Sequence, residues 1–107
     1  MGTNIQDHMD LDFIEKIIPF LKKYTKEGYQ KDGEEEARYL SAMISASGAI
    51  LLSELILDAG GVLFRIGFAS SRNIPGKGKI PEKREVEELL RKLEERKREI
   101  KRNTALT

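Results

Sequence analysis

The sequence predicts a mainly α-helical fold, a small bundle of three to four helices around a buried central helix. Two amphipathic stretches and one stretch that is apolar on nearly every side carry that expectation. Residues 10–26 and 82–103 repeat apolar side chains every three to four positions, the spacing of one helix face. Between them, residues 34–61 read EEEARYLSAMISASGAILLSELILDAGG, with Glu54 the only charged side chain from Tyr39 to Leu57. A helix of that kind has to be covered on nearly all sides, and the amphipathic stretches are the available cover.

At 107 residues the chain has room for one modest core and not for two. A single helical domain over residues 10–107 is expected, after a flexible N-terminal stretch over 1–9. The net charge of +1 hides an asymmetry: residues 1–64 carry 6 basic and 11 acidic side chains, and residues 65–107 carry 13 basic and 7 acidic. Such an imbalance fits either a polyanionic partner for the basic half or mutual neutralisation of the halves within one fold. With no cysteine, disulfides, thiolate metal sites and cysteine nucleophiles are excluded. Abundant lysine, arginine and glutamate, with few asparagines and glutamines, lean towards a thermophile's intracellular protein. No basic-then-apolar leader opens the chain, and a cytoplasmic location is expected. Residues 39–57 reach the minimum length of a membrane span, but four serines, Glu54 and the preceding Glu34, Glu35 and Glu36 favour a buried core helix.

Taken in order, residues 1–9 (MGTNIQDHM) are polar and without periodicity. His8, the sole histidine, lies near Asp7, Asp10 and Asp12, but a metal needs three or four converging ligands that a frayed terminus does not hold, so no metal or other cofactor is expected. Asp10 or Asp12 is the expected cap of a first helix running to Lys26. Its apolar rows are Leu11, Ile14, Ile18 and Leu21, and Phe13, Ile17, Phe20 and Tyr24. Pro19 predicts a kink or a division into two short helices. GYQKDG, residues 28–33, is a turn.

The central helix starts with three glutamates at the positive end of its dipole and is expected to stop at Gly60 and Gly61. Its small residues, Ser41, Ala42, Ser45, Ala46, Ser47, Gly48 and Ala49, predict a tight helix–helix crossing. Glu54 and Asp58, one turn apart, have no histidine or third acid beside them and are expected to pair with Arg38 or Arg65. Residues 62–69 (VLFRIGFA) fit a short strand or a further turn of helix. Residues 70–81 (SSRNIPGKGKIP) form a basic loop without the spacing of a P-loop. The last helix, 82–103, starts after Pro81, with pairs Glu87–Arg91, Glu88–Lys92 and Glu94–Arg98 at four-residue spacing. Beyond Leu93 only Ile100 is strongly apolar before Leu106, so the basic last turns are expected to project from the core.

An enzyme is not expected, since no Ser/His/Asp set, cysteine or metal cluster is present. Two binding readings remain. In one, the chain is a helical accessory subunit whose basic residues grip nucleic-acid phosphates without reading sequence. In the other, it is a self-associating scaffold in which the acidic half of one copy meets the basic half of the next. The compact helical layout, the central segment LSAMISASGAILLSELIL, the loop SRNIPGKGK and the charge-rich composition resemble the small subunit of archaeal type I-A CRISPR effector complexes. The resemblance covers the layout of most of the chain and includes no motif. It implies several copies within a multisubunit complex, supporting guide RNA and target DNA through backbone contacts, without catalysis and without a small-molecule substrate. The candidate contact residues follow from charge alone: Arg72, Lys77, Lys79, Lys83 and Arg84, then Arg91, Arg98 and Arg102.

Overall fold

A single helix over residues 34–61 would be about 42 Å long, and a chain this short has too little material to cover it on every side. The segment folds back on itself instead. The computed structural model describes residues 5–48, 51–70 and 80–105. It contains α1 (Ile5–Glu27), a 3-10 turn (Lys31–Gly33), α2 (Glu34–Ala46), α3 (Glu54–Gly67) and α4 (Lys83–Ala105), with no strand among the described residues. The helical bundle is therefore as expected, but the central helix is two helices.

The break has local causes. Gly48 takes the left-handed conformation with φ of 89°, which glycine adopts without steric cost. Ser53 is extended and its hydroxyl accepts from the Ile56 N–H, capping α3. Among the described residues nothing lies within 4 Å of a Cβ placed at Gly48, which sits in a turn and not at the predicted crossing. Gly60 and Gly61, expected to end the helix, lie inside α3, and residues 62–67 continue it. The crossing itself is real and includes Ser41 of the predicted run, but its close approach is centred on Gly60 and Gly67 of α3. α2 and α3 run antiparallel, with the Ser41 hydroxyl donating to the Gly60 carbonyl (3.3 Å) and Arg38 Nη1 to the Gly67 carbonyl (2.7 Å). A Cβ on Gly60 would stand 3.3 Å from Ile44, so the small residue there permits the approach.

α1 and α4 form the second layer, also antiparallel. The core between the layers includes Ile14, Ile17 and Leu21 of α1, Ile56 and Leu63 of α3, and Leu93 of α4. Five expectations change here. α1 begins at Ile5, inside the stretch expected to be flexible, because Asp7 and Asp10 are buried against Arg96 and not exposed as caps. It runs through Pro19 as one helix; Glu15, whose carbonyl loses its partner, lies with Pro19 on the solvent side, where water replaces the bond. The end of α4 does not project: Ile100 is fully buried, a contribution of about 1.5–3 kcal/mol that the Arg96 ion pairs reinforce. Arg91 pairs with Glu88 (2.6 Å) and Glu95, not with Glu87. Arg38 and Arg65 pair with Glu34 and Glu85, while Glu54 and Asp58 are exposed on α3.

Candidate functional site

The basic residues proposed from sequence fall into three groups. Arg72, Lys77 and Lys79 lie outside the described residues. Lys83 and Arg84 are exposed in the first turn of α4. Arg91, Arg98 and Arg102 follow along the same helix; Arg84, Arg91 and Arg98 recur every seven residues and so share its outer face. From Arg84 to Arg98 that face spans about 21 Å.

Electrostatics divide the face. At its centre the Arg91 guanidinium is engaged by Glu88 and Glu95. An open groove of about 280 Å³ beside it is lined by Thr25, Leu90, Arg91 and Arg98, but also by Glu87 and Glu94, so it offers no net preference for an anion. Towards the C-terminus, Arg98, Lys101 and Arg102 are exposed, whereas Arg96 is turned inward onto Asp7 and Asp10. Lys92 is exposed between these two basic ends of α4, and Arg91 contributes less to the cationic surface than its position suggests.

Two side-chain anchors hold the chain on either side of residues 71–79. On the near side, Glu34 accepts from the Ser70 hydroxyl (2.7 Å) and N–H (3.2 Å), and the Tyr29 hydroxyl donates to the same carboxylate. On the far side, the Tyr24 hydroxyl donates to the Pro81 carbonyl (2.8 Å). Sequence reasoning placed Tyr24 on an apolar row and Glu34 in a dipole-favoured first turn, and missed both anchors. The signal was the tyrosine itself, since a buried phenol has to find a partner.

The Glu34 anchor is pH-sensitive. The Tyr29 hydroxyl first, then Ser70, hold the Glu34 carboxyl below its ordinary value of 4.5. A depressed folded value means the stabilisation is fully present above that ordinary value and is lost as pH falls through the folded one. Acidification from about pH 4.5 downward is expected to lower the thermal midpoint of the wild type more than that of Glu34→Gln. Parallel pH profiles for the two proteins would show that this carboxylate does not contribute.

Among the described residues, no group of three or more histidine, aspartate or glutamate side chains is placed to hold a metal, and no helix is long and apolar enough to cross a membrane. A scan of protein-family models, a search of curated proteins and a search of solved structures each find no match to this chain, so function rests on charge and geometry.

Proposed function

We propose that the chain is a non-catalytic helical accessory subunit of a nucleoprotein complex, of the kind represented by the small subunit of type I-A CRISPR effectors. One observation supports this most. Five basic residues, Arg72, Lys77, Lys79, Lys83 and Arg84, fall in the segment that starts at the Ser70 anchor and runs through the Pro81 anchor into the first turn of α4. A basic segment tethered at both ends presents its charge with less entropy to lose on binding than a free tail. Its contacts would be to phosphates, shared by RNA and DNA and independent of sequence. Arg98 and Arg102 supply a second cationic patch at the other end of α4.

Binding of a labelled single strand to Arg72→Ala/Lys77→Ala/Lys79→Ala is expected to weaken, with the slope of log K against log salt reduced by about 2 for three lost phosphate contacts. The circular dichroism spectrum should be unchanged. A triple variant that binds DNA and RNA as the wild type does at low salt would remove the basic segment from the interface.

A second reading, a self-associating scaffold without nucleic acid, is favoured by the separation of exposed charge. Glu35, Glu36, Glu54 and Asp58 lie on the α2–α3 layer, and the basic ends of α4 on the other. Purification from the native cell discriminates: short RNAs of uniform length favour the first reading, and a nucleic-acid-free eluate of self-associated chain the second.

A further inference from the structure

The two layers present different outer faces. Outward positions of α4 carry arginine, lysine and glutamate. On α3, the side opposite its buried residues Ile56, Ala59, Leu63 and Ile66 carries Leu57, Gly61 and Phe64, spaced four and three residues apart, with the half-buried Phe68 just past the end of the helix. Leu57 is 40% exposed and Phe64 45%. The Phe64 and Phe68 rings lie 4.7 Å apart and form the aromatic end of the stripe. Gly61, at its centre, is unexplained within the monomer: Ile44 accounts for Gly60 and Arg38 for Gly67, but a Cβ at Gly61 would meet nothing within 4 Å. Glycine weakens a helix interior, so one with no neighbour among the described residues points to a neighbour of another kind.

We propose that this face is covered by the same face of a second copy of the chain, the two α3 helices crossing antiparallel at Gly61. Charge identifies the occupant. Along one edge of the stripe, Glu54 and Asp58 lie towards the N-terminal end of α3 and Arg65 towards the C-terminal end. Parallel packing would bring like ends together. Antiparallel packing centred on Gly61 sets Asp58 of one copy opposite Arg65 of the other, twice by symmetry. Arg65 keeps its bidentate Glu85 partner, so Asp58 of the other copy adds a second carboxylate beside an existing ion pair. Phe64 of each copy falls over the step between Leu57 and Gly61 of the other, and the absent side chain at Gly61 lets the helices approach. Such a contact is isologous and closes as a dimer, unlike a head-to-tail stack of acidic half on basic half. It keeps self-association from the second reading but replaces its head-to-tail arrangement with a closed dimer, and it does not depend on nucleic acid.

The chain has no cysteine, so Gly61→Cys places a single thiol beside the two-fold axis. Mild oxidation of the full chain at micromolar concentration is expected to cross-link Gly61→Cys as a disulfide dimer and to leave Lys92→Cys, on the outer side of α4, monomeric on a non-reducing gel. Wild type should sediment at about twice the 12.2 kDa chain mass. Phe64→Glu should raise the dimer dissociation constant at least about tenfold with helicity unchanged, while Lys83→Ala/Arg84→Ala leaves it alone. Monomeric wild type throughout would overturn the proposal. Oligomers that Gly61→Cys does not cross-link would overturn it in favour of the head-to-tail arrangement.

Discussion

Replacing Arg96 by methionine is expected to destabilise the protein by about 3–5 kcal/mol, the penalty for stranding buried charge. Asp10 is fully buried, and its carboxylate takes Arg96 Nε at 3.3 Å and the Ser53 N–H at 3.1 Å. Asp7 takes Arg96 Nη2 at 2.5 Å. These contacts join both ends of the chain to the start of α3, so one guanidinium serves three helices. Methionine keeps much of the apolar stem's packing and removes the charge, leaving two carboxylates facing each other in a site poorly reached by water. With an m-value of about 2 kcal/mol/M, the urea midpoint should fall on the order of 2 M. Asp10→Asn on the Arg96→Met background should recover part of the loss, because replacing a buried ion pair as a whole is far cheaper than breaking it. An Arg96→Met midpoint equal to that of the wild type would show that the network is not buried as described.

Gly67→Ala reverses the ordinary sign of a glycine-to-alanine change in a helix. Ordinarily the added methyl gains about 0.5–1 kcal/mol by restricting the unfolded chain and favouring helix. At Gly67 the Cβ would fall 2.6 Å from Arg38 Cγ and 2.8 Å from the Arg38 backbone nitrogen. The side chain has room to turn away, but the backbone does not, so α2 and α3 have to separate. Overpacking of that kind costs about 1–3 kcal/mol. It would also pull the Arg38 guanidinium from the Gly67 carbonyl and from above the Phe68 ring, 5.7 Å away. Gly61→Ala is the matched comparison at concentrations where the chain is monomeric, since nothing among the described residues opposes its methyl, and there it should be neutral or stabilising. Urea denaturation of both variants reads the contrast, and equal midpoints would mean that the α2–α3 approach is looser than the structure has it.

The nucleic-acid candidates were only partly legible. Lys83, Arg84, Arg98 and Arg102 are exposed on α4 as their positions implied. Arg91 is a candidate by charge, yet its pairing with Glu88 and Glu95 uses neighbours one turn away in the sequence. Charge counting ranks it beside Arg98, because a count does not include which acid lies closer. The anchors at Ser70 and Pro81 were not legible, since Glu34 and Tyr24 reach them across 36 and 57 residues of chain.

By itself the sequence determined the helical class, the single core and the buried faces of α1 and α4, because helical spacing is a local property repeated along each segment. It also contained the stop and start of the central break, Gly48 and Ser53, in residues whose backbone preferences are local. Whether the apolar run continued through them was decided by tertiary structure. A helix apolar all round gains most by folding onto itself, and Gly60 and Gly67 acquire their meaning only opposite Ile44 and Arg38. The same holds for Asp10, whose partner Arg96 is 86 residues away. A carboxylate near the terminus reads as a solvated cap until a distant cation makes its burial affordable.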